Sequence, residues 1–419
     1  MEASRASWLR PAEASFALAA VLAAAAAFLV AWALLHQGFW DDEEVVDTPV
    51  YEKYGDWMAD GRVPYRDFRP EYPPLALPVF VAPSLVAGAE ASHGEYRRVF
   101  EWLMAACGVA ALVLVAATLG SLGASPTRLV AALAFAGLFP LALGTVVLTR
   151  FDLWPAALVA GSLAALVALR DRLAFGLLGL AVAAKLYGAV LLPVAVVWVW
   201  RRRGRREALV CAGVFALVVA AAYVPFLVLG AGGVAESVGR QLGRPLQLES
   251  LGSALLLALH SLAGLDVEMR ASHGSQNVGG TLGAVVGVLQ TVVQLGVLAA
   301  VWVAWARGPM ERERLVRYAA ASVLAFVALG KVLSPQFLIW LVPLLPLVCG
   351  RRGLAASALL GLALVLTQLW FPFRYWDWVR TFDGGVTALV LTRDLVLLAA
   401  FAVLVLPRLP RPFRPRPAA

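Results

Sequence analysis

The chain has 419 residues, 61% of them hydrophobic and 15% charged, with a mean hydropathy of +0.79. Such a composition excludes an ordinary soluble domain and makes the bilayer the solvent. The formal charge of +8 sits in short arginine runs between apolar segments, which is a signature of topology and not of a nucleic-acid surface.

Phe16–Leu35 reaches the roughly 20 residues a helix needs to cross about 30 Å of hydrocarbon. It exceeds the signal-peptide core of about 7–15 residues, so it is read as a retained anchor. The long polar segment that follows reads GFWDDEEVVDTPVYEKYGDWMADGRVPYRDFRPEYPPLAL. Thr48-Pro49 opens a helix, because proline at the first turn loses no hydrogen bond, and Gly61 is placed to close it. Val46, Val50, Tyr54, Trp57 and Met58 fall near one face, the pattern of a helix lying in the membrane interface. Asp47 stands at its start, where a carboxylate ordinarily caps the helix.

Two later segments are too short to span. Leu75–Gly88, interrupted by Pro78 and Pro83, and Leu251–Leu262 each cover about 20 Å, and are read as half-entering or surface-lying helices. Leu173–Trp200 is too long for one span and carries Lys185 near its middle. It is read as two short helices meeting at Lys185, with a single tilted helix as the alternative. Leu209–Leu229 and Val278–Val303 are full spans. Within the second, Gly279, Gly283 and Gly287 recur at every fourth residue, the spacing of close helix packing. Cys107, Cys211 and Cys349 lie in apolar segments without paired spacing, which argues against a disulfide framework or a zinc site.

Orientation follows from the arginines. The N-terminus, Arg128, Arg170 to Arg172, Arg201 to Arg206, Arg307 to Arg317, Arg351-Arg352 and the tail from Arg408 are placed on one side. That side holds 20 of the 35 Lys and Arg with 6 of the 27 Asp and Glu, leaving 15 and 21 outside. The basic side is cytoplasmic and holds both termini. The fold class is therefore an all-α polytopic membrane protein of about twelve crossings, with the short helices on its outer face. Residues 1–407 form one membrane domain with 37–74 as its first outer loop, and 408–419 form a basic, Pro-rich tail on the inner leaflet.

The pattern Asp47-x-x-x-Tyr51, Gly61-x-x-Pro64-Tyr65-Arg66-Asp67 and Glu71-Tyr72-Pro73-Pro74, followed by an apolar segment, resembles the polyprenol-phosphate-mannose-dependent glycosyltransferases of family 87. These are actinobacterial membrane enzymes of the GT-C type. Further matching blocks are Arg150-Phe151-Asp152-Leu153, Gly179-Leu180-Ala181 leading to Lys185-Leu186-Tyr187, SHGSQN from Ser272 to Asn277, and KVLSPQ from Lys331 to Gln336. Gly188 departs from the pattern, standing where a proline is expected after the Lys-x-Tyr.

The resemblance implies a general base in the first outer loop, and Asp47 is the matching position. It implies a polyprenyl-phosphate sugar as donor, a lipid, glycan or protein acceptor, and the bilayer as the remaining partner. Positive-inside counting by itself puts Asp47, Arg150, Asp152, Lys185 and Lys331 on the outer side. A phosphate that departs on a lipid tail needs fixed cations near the membrane surface. Lys185, Arg150, Lys331, Arg240 and Arg244 are the candidates. Lys185 has a second reading, as a structural partner of Asp152, because an ammonium in hydrocarbon must be paired or hydrated. Arg240 and Arg244, spaced i, i+4, either clamp the phosphate or anchor a solvated loop. Tyr51, Tyr65, Glu71, Tyr72 and Asp152 are the substrate-facing candidates of the matching blocks, with His273 and Gln276 (beside Asn277) for sugar hydroxyls.

No cofactor is implied. The run Asp41 to Glu44 is a candidate for a divalent cation, although four adjacent acids more often make a solvated patch. Intramembrane lysines and broken helices also mark transporters, but no duplicated half is visible and the charges collect on one side. A scaffold would leave the carboxylate loop and the deep lysines unexplained. The sugar is mannose by resemblance alone, and no residue excludes arabinose or glucose.

Overall fold

The computed structural model describes residues 11–40, 45–88 and 91–406. The Asp41 to Glu44 run and the tail from 407 lie outside them. Helix α1 (Pro11–Leu34) is followed by α2 (Thr48–Ala59), α3 (Leu77–Ala87), α4 (His93–Ser121), α5 (Pro126–Leu143) and the single turn α6 (Val146–Thr149). Next come α7 (Leu153–Val167), α8 (Asp171–Ala184), α9 (Leu192–Arg203), α10 (Arg205–Leu242) and α11 (Leu251–Ala263). A hairpin of β1 (Met269–Ser272) and β2 (Ser275–Val278) precedes α12 (Gly280–Arg307), α13 (Arg312–Ala328), α14 (Gly350–Gln368), α15 (Tyr375–Thr381) and α16 (Gly384–Val405). Seven of these helices are long and apolar enough to cross a membrane: α1, α4, α5, α10, α12, α14 and α16. The remaining apolar segments are shorter, so the chain is nearly all helical, with fewer long apolar helices than the roughly twelve expected crossings.

The difference comes from two segments that turn back. Helix α8 ends at Ala184, Lys185 is extended (φ −160°, ψ 129°), a 3-10 turn runs over Leu186–Leu191, and α9 follows. Arg203 at the end of α9 donates to Asp171 at the start of α8 at 3.2 Å, so both ends share one face and the hairpin reading holds. Gly188 sits inside the 3-10 turn without breaking it. A second return follows α13: the chain is extended at Ser334 and comes back through the 3-10 turns Pro335–Leu341 and Leu345–Leu347. Non-helical backbone at bilayer depth survives only when buried in protein, and both returns are enclosed by packed helices.

The basic turns interlock on a single face. Arg172 pairs with Glu207 at 2.9 Å, Arg201 donates to the Ala306 carbonyl at 2.5 Å, and Arg312 donates to the Ser121 carbonyl at 3.1 Å. Arg128 reaches the Leu347 carbonyl and Arg352 the Leu406 carbonyl. Asp47, Arg150, Asp152, Lys185 and Lys331 gather at the opposite end. Gly279 and Gly283 face Glu268 and Val278, and Gly287 faces Leu246. The glycine column therefore meets the β-hairpin and the residues that flank it, not a second helix as its spacing suggested.

Helix α2 differs from expectation in what it covers. Its buried residues are Thr48, Tyr51, Tyr54 and Gly55, whereas Val50 is exposed. The reason is α3: Tyr51 stacks on Phe80 with centroids 4.3 Å apart, and Gly55 lies against the Phe80 carbonyl and the Ser84 hydroxyl. Glu52 pairs with His93 of α4 at 2.5 Å, fastening the same helix from its other side. Gly61 closes α2 at φ +84°, as expected. The carbonyl of Tyr65 then seats in a notch made by Gly230 and Gly233 of α10, where any Cβ would collide with it. Gly55→Ala is expected to force α2 off α3 and lower stability by about 1–3 kcal/mol. Thermal unfolding in detergent measures this, and an unchanged midpoint would contradict the packing.

Candidate active site

Asp47 occupies the N-cap position of α2, but its side chain makes no cap hydrogen bond. Its Oδ2 instead lies 3.1 Å from Arg150 Nε and accepts from the Tyr51 hydroxyl at 3.3 Å. The carboxylate keeps about a third of its surface, while Arg150 is buried. Arg150 is fixed by its other nitrogens: Nη2 donates to the Val45 carbonyl at 2.9 Å and Nη1 to Thr149 at 3.3 Å. A guanidinium committed in this way holds the carboxylate in place and has little left to offer a phosphate.

Tyr51 and Tyr72 wall the site, with Phe80 and Phe151 behind them. Burial pushes both phenols well above their usual pKa, and the nearby Asp47 charge adds to the effect. Both therefore remain hydrogen-bond donors. Tyr65 does not reach the site. It is buried, and its hydroxyl donates to the Tyr72 carbonyl at 2.6 Å, so it shapes the loop that presents Tyr72. Asp67 locks the same loop, accepting from Arg66 at 2.8 Å and from the Val63 amide at 2.7 Å.

Lys185 is paired. Its Nζ donates to Asp152 Oδ1 at 2.6 Å, and Trp340 Nε1 donates to the same oxygen at 2.6 Å. The ammonium also lies 4.6 Å from the Phe151 ring centre and 5.2 Å from that of Trp340, and Trp340 is sandwiched between Tyr187 and Phe337. Asp152 is fully buried, and its Oδ2 has no hydrogen-bond partner among the described residues. The second reading of Lys185, a structural pair across two helix ends, is thus realised in the geometry.

The two arginines spaced i, i+4 are separated by the end of α10 at Leu242. Arg240 remains in the last turn, 3.8 Å from Glu71. Arg244 lies beyond it, and among the described residues it makes no hydrogen bond or ion pair; its Nε is buried without a partner. Burial lowers its pKa, and its side chain lines a cavity. That cavity, of about 360 Å³, is bounded by Arg244, Lys331, Arg270, Ser272, Asn277 and the glycine face of α12. Main-chain hydrogen bonds join the segments that line it: the Val278 amide donates to the Leu246 carbonyl at 2.8 Å, and the Gln247 amide to the Lys331 carbonyl at 2.9 Å.

His273 and Gln276 lie on the β-hairpin, which sequence periodicity did not announce. His273 sits in its turn at φ +55° with Nδ1 buried and without a hydrogen-bond partner among the described residues, and the following Gly274 lies against Glu71. Asn277 fastens the hairpin from inside, donating to the Ser272 and Ser275 carbonyls at 2.9 and 3.0 Å. Among the described residues no group of His, Cys, Asp and Glu is arranged to hold a metal ion. Sequence reasoning missed Arg270, Trp340 and the pair Arg393-Asp394; only the last carried a signal, two charges inside an apolar helix.

Residues 71–335, more than half of the chain, match glycosyltransferase family 87. The matched stretch contains Glu71, Tyr72, Arg150, Asp152, Lys185, Arg240, Arg244, His273, Gln276 and Lys331, whereas Asp47 precedes it. Among solved structures, the chain is similar to ArnT from Cupriavidus metallidurans bound to undecaprenyl phosphate, with a TM-score of 0.49 and 16% identity over 92% of this chain and 76% of that one. No curated protein matches in sequence.

Lys185→Met is expected to strand a buried carboxylate and cost about 3–5 kcal/mol of stability, most of it recovered by adding Asp152→Asn. Detergent thermal unfolding of the wild type and the two variants measures it. A Lys185→Met protein as stable as the wild type would contradict the pairing.

Proposed function

The chain belongs to glycosyltransferase family 87, and from that premise we propose that it moves a sugar from a polyprenyl phosphate to a hydroxyl of a lipid, glycan or protein acceptor outside the cytoplasm. The sugar is mannose by the family resemblance. Asp47 is the general base, and Arg244 and Lys331 are the counter-ions of the departing phosphate.

One observation carries the reading. The carboxylate at the N-terminus of α2 is withheld from capping, held by Arg150 and Tyr51, and left partly open; Tyr72 beside Tyr51 adjoins Glu71, against which the hairpin that lines the cavity of Arg244 and Lys331 is seated. In the reaction the acceptor oxygen bonds to the anomeric carbon as the bond from that carbon to the phosphate oxygen breaks. The acceptor proton passes to Asp47, and the phosphate leaves with its charge facing Arg244 and Lys331. One carboxylate on the acceptor side and cations on the phosphate side suit a direct displacement, which inverts the anomeric centre. Tyr51 and Tyr72, kept protonated, are donors for sugar or acceptor oxygens, and His273 and Gln276 approach from the hairpin near Glu71. Arg150, Lys185 and Arg240 leave the phosphate set because each already faces a carboxylate.

The interlocked basic face is read as cytoplasmic, with both termini, by the excess of arginine on it. The site then opens extracytoplasmically, where the bilayer delivers the donor. The transporter reading has no observation in its favour, since the deep lysine that suggested it is paired with Asp152.

Purified protein should transfer radiolabelled mannose from a polyprenyl phosphate to a membrane extract, and Asp47→Asn should fold normally while losing about 10²–10⁴-fold in rate. More than roughly a tenth of wild-type rate in Asp47→Asn would remove Asp47 from the base role, because losing a base costs at least about a hundredfold. Orientation is tested separately with Asp56→Cys in intact cells. Labelling by an impermeant reagent is expected, and protection until lysis would invert the topology.

A further inference from the structure

Helix α16 carries two charged residues, Arg393 and Asp394, which are both completely buried. Arg393 Nε is 2.7 Å from Asp394 Oδ1, and Nη2 donates to the main-chain carbonyl of Glu249 at 2.8 Å. Arg393 Nη1 and Asp394 Oδ2 have no hydrogen-bond partner among the described residues. Charges in such surroundings are costly, and an apolar pair of equal volume commonly replaces a buried ion pair without loss of stability. An apolar pair cannot, however, bind a peptide carbonyl.

The carbonyl that Arg393 holds belongs to the segment from Gly243 to Ser250, which is neither helix nor strand and connects α10 to α11. This segment carries Arg244 at one end. Its middle binds the Lys331 carbonyl through the Gln247 amide and flanks β2 through Leu246 and Leu248. Gln247 Nε2 also reaches the Ser334 hydroxyl at 3.4 Å. One stretch of irregular backbone therefore fixes the spacing of both cavity cations, and its far end is pinned by a guanidinium from another helix.

We propose that Arg393 is a positioning residue for the donor site: its hydrogen bond to the Glu249 carbonyl sets the 244–250 segment, and through it the separation of Arg244 and Lys331. This rests on the assignment of those two cations to the donor phosphate. Arg393 touches neither the cavity nor Asp47, and lies outside the stretch matched to the family.

The test compares wild type, Arg393→Met/Asp394→Leu, Arg393→Lys and Arg244→Gln, using a polyprenyl-phosphate mannose donor. Measured are detergent thermal stability, amide exchange at Gln247 and Leu248, and the kcat and KM for donor and acceptor. The double variant removes both charges of the pair, so neither Arg393 nor Asp394 is left buried without the other. It should keep its unfolding midpoint, exchange faster at both amides, and raise donor KM about tenfold, the worth of one charged hydrogen bond. Its kcat and acceptor KM should stay near wild type. Arg393→Lys keeps a charge that still reaches a carbonyl and should recover part of the donor KM, and it serves alone if the double variant does not fold. Unchanged amide exchange, or faster exchange with wild-type donor KM, would overturn the proposal. If Arg244→Gln also leaves donor KM unchanged, the donor-site assignment fails; if Arg244→Gln raises it and the Arg393 variants do not, only the positioning role fails.

Discussion

Backbone that leaves the helix inside a membrane must find all its hydrogen bonds within the protein, and the site depends on three places where this happens. At Lys185 and after Lys331 the chain turns back before completing an α-helical span, and between α10 and α11 it runs as an irregular segment. Each break is closed by contacts from elsewhere. Asp152 and Trp340 meet Lys185, the Gln247 amide meets the Lys331 carbonyl, and Arg393 meets the Glu249 carbonyl. The breaks bring polar groups to one end of an otherwise apolar bundle.

The cations at that end divide by what they already bind. Arg150, Lys185 and Arg240 face Asp47, Asp152 and Glu71, whereas Arg244 has no partner among the described residues. A paired cation is structural or orienting, because an incoming anion would have to displace a carboxylate. An unpaired one beside a cavity retains its charge for a ligand. The same reasoning applies to Asp47, whose position predicts a cap but whose carboxylate is turned toward Arg150 and Tyr51.

Much of this was legible in the sequence. The arginine runs gave the shared basic face, because charge placement tracks turns whatever the helix lengths between them. The same counting places the ends of each segment but not the lengths of the helices between them, so it does not separate long spans from short ones. Lys185 stood out because an ammonium in an apolar segment is rare, but its partner Trp340 lies far along the chain and no local pattern points to it. Arg240 and Arg244 read as a clamp because their spacing assumes a continuing helix, and α10 ends between them. The four-residue strands of the hairpin are too short to show alternation, so His273 and Gln276 read only as a polar loop. The outward face of α2 was misjudged because nothing local reveals that α3 covers Tyr51 and Gly55 while Phe68 covers Tyr54.

In the proposed reaction the base and the phosphate cations stand on opposite sides of one reacting carbon. A structure with a non-transferable polyprenyl-phosphate sugar analogue tests it most directly. The phosphate is expected at hydrogen-bond distance from Arg244 and Lys331, with the sugar's anomeric carbon between them and Asp47. A phosphate bound instead at Lys185, with Asp152 displaced, or a sugar out of reach of Asp47, would contradict it.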